Sequence, residues 1–340
     1  MQEPLLGKTL EELRSIAVEA GLPAFTGKQL ADWLYKKRVC SIEEMTNISR
    51  KGREQLSERY CVGRMAPTHK AVSADGTIKY LLPTSCNHSV EAVYIPTDDR
   101  ATLCISTQAG CKMHCRFCMT GTLGFHGQLS ACDILNQVFS IPESNTLTNI
   151  VVMGMGEPMD NIDAVLRALE IMTADYGCAW SPRRITVSTV GLLPGLERFL
   201  KESECHLAVS LHNPFSRERQ EIMPVEKAYP IQAVIDLIKQ FDFAHQRRVS
   251  FEYIVFAGFN DTMRHAVEML KLLRGMHCRI NLIRFHDGNQ CDLKGASMER
   301  MEFLRDYWTN NGITSTIRQS RGEDILAACG MLIAQEGKEA

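Results

Sequence analysis

From Asn149 onward the chain alternates between two patterns, and that alternation restricts its fold more than any other feature. Short apolar runs read as strands at Asn149–Met153, Arg184–Ser188, His206–Ser210, Val249–Val255, Arg279–Ile283 and Ile313–Ile317. Runs with helical spacing accompany them at Ala131–Phe139, Ile162–Met172, Ile231–Gln240, Ala266–Arg274 and Met298–Asn310. Strands separated by helices pair in parallel, because each crossover returns the chain to the same end of the sheet. Six or seven such units predict an α/β protein, a partial (β/α)6-type barrel spanning residues 101–340.

Two shorter regions precede the barrel. Residues 1–65 predict a small helical domain. Thr9 with Glu12 makes a capping box ahead of Leu10, Leu13, Ile16 and Ala17, and Gly21-Leu22-Pro23 stops that helix. Gln29–Lys37 predicts a second helix, Ser41 with Glu44 opens a third, and Arg50–Tyr60 a fourth. Residues 66–100 turn to strand character and predict a short β-rich extension. Asp75-Gly76 is a hairpin signal between Lys70–Ser73 and Thr77–Leu82, and Val90–Ile95 and Leu103–Ser106 follow.

The net charge of −2 gives no global basic field, although a local basic face is enough to hold nucleic acid. Lys36-Lys37-Arg38 and Arg50-Lys51-Arg53 are the clustered cations of the helical region. No apolar run is long enough for a membrane span, and the first residues lack the basic and apolar parts of a signal peptide, so a cytoplasmic protein without membrane attachment is expected. Thirteen cysteines in a reducing compartment point to metal ligation or thiol chemistry rather than structural disulfides.

Three of those cysteines, Cys111, Cys115 and Cys118, fall in a CxxxCxxC run with Phe117 just before the last. Structural zinc takes four ligands, normally as two separated pairs, and no second CxxC pair exists; His114 lies awkwardly inside the tight loop. Three thiolates suit a [4Fe-4S] cluster with one iron left open, whereas clusters with four cysteines serve electron transfer. An open iron can chelate the amino and carboxylate groups of S-adenosyl-L-methionine, and one electron to the sulfonium then yields a 5′-deoxyadenosyl radical. The spacing and the aromatic resemble the radical S-adenosylmethionine superfamily. That resemblance implies a radical SAM barrel, both cofactors, and a low-potential electron donor such as flavodoxin or ferredoxin.

The sites of such barrels lie at the C-terminal ends of the strands. Gly156 and Glu157, in Gly154-Met155-Gly156-Glu157-Pro158, follow one strand; the glycines permit close backbone approach and Glu157 is suited to meet an ammonium group. Ser188, and the run Ser210, Leu211 and His212, end the next two strands. Together they converge on one rim, which fits a ribose- and methionine-binding site.

Two distant cysteines narrow the family. Cys104 opens Cys104-Ile105-Ser106-Thr107-Gln108 before the triplet, and Cys329 closes Gly322-Glu323-Asp324-Ile325-Leu326-Ala327-Ala328-Cys329-Gly330. With Gly154–Pro158, Ser210-Leu211-His212 and Asn281-Leu282-Ile283, these contexts resemble the RlmN/Cfr adenine methyltransferase family over nearly the whole chain. The resemblance implies that Cys329 takes a methyl group from one S-adenosylmethionine, and that a radical from a second abstracts hydrogen from that methyl. The thiomethylene radical adds to adenine, and Cys104 resolves the protein–RNA adduct through a transient disulfide with Cys329. Carbon 2 of adenine is a poor nucleophile between two nitrogens, which is why a radical route makes chemical sense.

The adduct must then lose a proton, which calls for a base. Glu91 matches the family's candidate. On its strand it alternates onto the face of Val93 and Ile95, an apolar setting that would raise its pKa. His286, in Arg284-Phe285-His286, stands where the family pattern often has an Asn that contacts S-adenosylmethionine. The family's substrates are an adenine at the peptidyl-transferase centre of 23S rRNA and the adenine 3′ of certain tRNA anticodons, and the basic clusters near the N-terminus then gain a role as RNA contacts. Two alternatives share parts of this pattern: the C8-methylating branch, from which the Arg321-Gly322-Glu323-Asp324 run differs, and a non-catalytic iron–sulfur RNA-binding protein.

Overall fold

A computed structural model describes residues 2–243, 248–286 and 291–332. Its centre is one ten-stranded sheet whose spatial order follows the chain, from His69–Val72 at one edge to Ser315–Ile317 at the other. Seven strands are parallel: Ala101–Cys104, Asn149–Val152, Ile185–Thr189, His206–Ser210, Val249–Val255, Cys278–Arg284 and Ser315–Ile317. The two edges do not pair with each other, so the barrel is partial. Helices Ala131–Phe139 and Met298–Asn310 have the bounds expected from their periodicity. Helices Leu193–Glu202 and Ser216–Ile222 were not foreseen.

The β-rich stretch continues the same sheet. Ile78–Pro83 pairs antiparallel with both His69–Val72 and Ser89–Pro96, and Ser89–Pro96 pairs antiparallel with Ala101–Cys104. The hairpin turns at Asp75-Gly76, where Gly76 takes φ +81°. Strand Val249–Val255 is buried along its whole length, as a central parallel strand with both faces covered must be.

The N-terminal helices follow their capping signals with one change. Leu10–Glu19 begins at the Thr9/Glu12 capping box, and Ser41/Glu44 caps a short 3-10 turn, Ile42–Glu44. The expected second helix is α only over Thr26–Ala31 and passes into a π-turn at Asp32–Lys36. The basic clusters there are partly turned inward. Arg38 Nη1 donates to Ser144 O at 2.9 Å and Asn145 Oδ1 at 3.1 Å, and Arg53 Nη1 donates to Ile48 O at 2.8 Å. Lys36, Lys37, Arg50 and Lys51 remain exposed.

Every residue of helix Ala131–Phe139 is buried, and its polar side chains tie three regions together. Asp133 Oδ1 accepts from Ser85 N at 2.9 Å, and Asn136 exchanges two 2.9 Å bonds with the Met65 backbone. Gln137 Oε1 accepts from Ser106 N at 2.8 Å while its Nε2 donates to Ser106 O at 2.9 Å. Gln137→Leu leaves both Ser106 backbone groups without that partner, so urea unfolding of the cluster-free protein should show a loss of about 1–3 kcal/mol for each orphaned group. A loss below about 0.5 kcal/mol, ordinary for a surface change, would show that the bond pair carries no weight.

Candidate active site at the strand ends

The cysteine loop leaves the sheet through a small antiparallel pair, Gln108–Gly110 with Phe125–Gln128. Cys111 N donates to Gly124 O at 2.8 Å, and Cys118 N to Cys115 O at 3.1 Å. Gly110 sits at φ +75° with Gly124 O 1.9 Å from where a Cβ would stand, so no other residue fits that turn. Phe117, the aromatic before the last cysteine, is buried edge-on to His212 with ring centroids 4.9 Å apart. Its function is to seat the loop on the strand ends. His114 Nδ1 lies 3.2 Å from Gly121 O, within the loop itself.

Cys111, Cys115 and Cys118 line one cavity together with Gly156, Glu157, Ser188, Ser210, His212 and Cys329. Among the described residues no three His, Cys, Asp or Glu side chains converge closely enough to hold a single ion. All thirteen cysteines are free thiols, so the Cys104–Cys329 disulfide of the resemblance is not formed. Burial pushes the Cys111 thiol up to about 12 and raises Cys115 and Cys118 as well; neighbouring charge adds to this, from Glu157 and Cys118 at Cys111, from Cys118 and Cys111 at Cys115, and from Cys329 at Cys118. Such a trio calls for a cationic centre to hold it as thiolates, which a bound iron–sulfur cluster provides.

Gly156 adopts φ +100° with the Gln108 side chain 2.6 Å from its Cβ position. Glu157 beside it is buried, and its carboxylate is already partly used. Oε1 accepts from Thr189 Oγ1 at 2.5 Å and Met159 N at 3.0 Å; Oε2 accepts from Val190 N at 2.9 Å. Two acceptor positions per oxygen leave one on Oε2 for a further donor. Burial raises the Glu157 pKa to about 7 despite those bonds.

His212 takes φ +55°, and its Nδ1 accepts from Ile254 N at 3.0 Å, which places the ring proton on Nε2. Burial, with Arg219 nearby, lowers its pKa to about 3, so the ring is neutral. Arg219 itself is buried. Its Nε donates to Leu211 O at 3.0 Å, its Nη2 to Val190 O at 3.0 Å and Ser210 O at 2.8 Å, and its Nη1 pairs with Glu226.

Not every expected residue reaches the cavity. Leu211 points into the core. His286 lies elsewhere: Nε2 is 2.6 Å from Ser320 Oγ and Nδ1 is 3.3 Å from Glu323 Oε2. Glu91 is buried with both faces of its strand covered, so period-two alternation does not describe its setting. Its Oε1 is 2.9 Å from Lys79 Nζ, an ion pair rather than an apolar pocket. Cys104 is not on the cavity wall, but burial raises its thiol to about 12, the charge of Cys329 adds to this, and Met153 N–H and Arg318 oppose it.

Two charged wall residues had no sequence expectation. Glu252 interrupts the apolar strand Val249–Val255; its Oε1 accepts from Asn281 Nδ2 at 2.8 Å, and its Oε2 has no hydrogen-bond partner among the described residues, with Arg318 Nη1 3.6 Å away. A lone carboxylate in a continuous apolar run is the signal that would have found it. Arg318 follows the last strand and feels both Cys104 and Cys329.

A parallel β/α sheet with a CxxxCxxC loop and a glycine-bounded glutamate on one rim defines a radical S-adenosylmethionine enzyme. Residues 105–273 match the Radical SAM superfamily, and residues 4–62 match the ribosomal RNA large subunit methyltransferase N-terminal domain. The chain is 59% identical over 336 residues to a probable dual-specificity RNA methyltransferase RlmN of Bacteroides fragilis, covering 99% of this chain and 98% of that one. It is 39% identical to the dual-specificity RNA methyltransferase RlmN of Geobacter sulfurreducens, covering 96% and 91%. A radical SAM methyltransferase from Sphaerobacter thermophilus superimposes with TM-score 0.91 at 36% identity, over 98% of this chain and all of that one. The chain belongs to the RlmN family of radical SAM RNA methyltransferases, which use a [4Fe-4S] cluster and S-adenosylmethionine.

Glu157→Gln sets an amide NH2 against a backbone N–H at one oxygen position or the other. Denaturation of the cluster-free protein should show a loss of about 1–3 kcal/mol. Equilibrium binding of S-adenosylmethionine to the cluster-loaded variant should weaken about tenfold or more, the cost of losing one charge-assisted bond. Unchanged stability would contradict the three-donor arrangement, and unchanged affinity would remove Glu157 from the ligand site.

Proposed function

We propose that this enzyme methylates carbon 2 of adenine in 23S rRNA and in tRNA, in the cytoplasm, with Cys329 as methyl carrier and Cys104 as the resolving thiol. The observation that supports this most is the meeting of Cys329 with the cysteine trio in one cavity, with Cys104 close enough behind the wall for its thiol to feel the charge of Cys329. When bound, the cluster and S-adenosylmethionine supply the methyl group, the electron and the hydrogen-abstracting radical. A low-potential donor such as flavodoxin or ferredoxin feeds the cluster.

The residues divide the remaining work. Cys111, Cys115 and Cys118 hold the cluster, and Glu157 offers its free acceptor position to the amino group of S-adenosylmethionine. Ser188, Ser210 and the neutral His212 line the wall where its ribose and methionine parts fit. Arg318, half-buried and cationic, stands by Cys329, the nucleophile that takes the methyl group, and opposes the rise in the thiol pKa of Cys104, the nucleophile that displaces the product. Glu91 serves as base: Lys79 bridges its carboxylate to the carbonyl of Leu326 at 3.4 Å, three residues before Cys329, so it stands close to the carrier segment. Adenine reaches the cavity only when unstacked, which costs a few kcal/mol and favours loop adenines.

Cys104→Ala should retain methylation of Cys329 and addition to adenine while losing release, so the protein should isolate covalently joined to RNA through Cys329. Cys329→Ala should form no adduct. Denaturing gels with labelled RNA, and mass spectrometry of the modified adenines for C2 against C8 substitution in both RNA classes, decide the matter. Cys104→Ala protein free of RNA and turning over normally would refute the two-thiol scheme.

A further inference from the structure

The partial barrel has an open seam between its edge strands His69–Val72 and Ser315–Ile317. Residues beyond the last strand bond back to the hairpin at the opposite edge, and they do so by exchanging carboxylates. Asp75 Oδ2, at the hairpin tip, accepts from Gly322 N at 3.0 Å, with Arg321 Nη1 3.9 Å away. In return, Asp324 Oδ1 accepts from Ser73 Oγ at 2.6 Å and its Oδ2 from Ala74 N at 3.1 Å. Lys79, on the same hairpin, donates to Leu326 O.

Packing confirms how close the two segments lie. Gly322 takes φ +65°, and a Cβ there would stand 2.9 Å from Thr77 Cγ2 and 2.8 Å from Ala327 Cβ. The far end of the segment is fixed as well: Met119 N donates to Gly330 O at 2.7 Å, directly after Cys118, and Thr120 Oγ1 donates to Leu332 O at 2.8 Å. Cys329 therefore hangs between two anchors, one on the cluster loop and one on the hairpin.

We propose that the hairpin Ser73–Lys79 is the clamp that positions the methyl carrier, with Asp75 and Asp324 setting where Cys329 stands in the cavity. The inference rests on Cys329 being the carrier. Neither aspartate lines the cysteine cavity, so each acts through the backbone of the carrier segment rather than on reactants. Hydrogen bonds from Ser73 and Ala74 lower the pKa of Asp324. For Asp75, burial works the other way, but bonds from Thr77, Gly322 and Ser73 bring it to about 2. Both stay ionised through the neutral range, and the clamp holds there.

Asp75→Ala removes the contacts to Gly322 and Arg321 together with the Thr77 N–H bond inside the hairpin, while Asp324→Ala leaves all of these in place and removes the reciprocal pair. In cluster-loaded, full-length protein three quantities are read: trypsin cleavage after Arg321, the rate at which methyl from labelled S-adenosylmethionine appears on the Cys329 peptide, and reductive S-adenosylmethionine cleavage without RNA. Both variants should be cut faster after Arg321 and should methylate Cys329 about tenfold to a hundredfold more slowly, the scale of misplacing a reactive group. Iron content and reductive cleavage should not change, and Asp75→Asn, whose amide oxygen can accept from Gly322 N–H only by giving up the bond from Thr77 N–H, should recover part of the rate. Wild-type methylation rates in both alanine variants would overturn the clamp, as would a slower rate matched by lost iron. If labelled methyl never appears on Cys329 in the unaltered protein, the carrier assignment fails and the clamp's role fails with it, a result told apart from failure of the clamp alone because there the unaltered protein is methylated and both variants match its rate.

Discussion

The buried guanidinium of Arg219 holds together the rim on which everything else is mounted. Parallel strands end in carbonyls that point past the sheet, and at a cavity floor these have no neighbouring strand to bond. Arg219 satisfies three of them, at Val190, Ser210 and Leu211, and its charge is balanced by Glu226. A charge removed from water this completely is tolerated because its donors are spent on fixed acceptors. The fixed backbone at Ser210–His212 gives the neutral imidazole its place against Phe117, and Phe117 in turn seats the cysteine loop. One desolvated cation thus sets the geometry of two strand ends and, through a ring contact, that of the thiol trio.

Much of this was legible in the residues themselves. Parallel strands are buried on both faces, so Val249–Val255 and His206–Ser210 stand out as apolar runs, and the bounds read from composition match those observed. Capping boxes were equally plain, because Thr9/Glu12 and Ser41/Glu44 are local hydrogen-bond exchanges. The cysteine spacing pointed to the chemistry because three thiols within eight residues need no tertiary information to be recognised as one site.

What escaped depended on contacts distant in the chain. Glu91 looked like one face of an alternating strand, but Lys79 from the adjacent strand and cover on both sides change its setting. Leu211 and His286 were placed by motif adjacency, whereas one turns into the core and the other bonds to Ser320 and Glu323. Arg38 and Arg53 read as surface cations, yet each donates to backbone carbonyls. Glu252 and Arg318 went unseen because strand context hid the first and loop context the second. Apart from Arg53, whose acceptor Ile48 is five residues away, and Glu252, which its apolar run could have flagged, the deciding contacts lie on another segment, and no local pattern encodes them.

The strict sequential order of the ten strands also bears on how the molecule comes into being. Each strand pairs with the one before it in the sheet, so the sheet can grow edgewise as the chain leaves the ribosome, without waiting for a distant partner. The cysteine loop, near residue 111, is made early, but its bond from Met119 to Gly330 forms only when the last segment arrives. Cys329, the proposed carrier, is therefore made long after the cysteine loop. A nascent chain stalled between them would hold the three thiols proposed to bind the cluster without the thiol proposed to carry the methyl group, so synthesis order would separate the two in time.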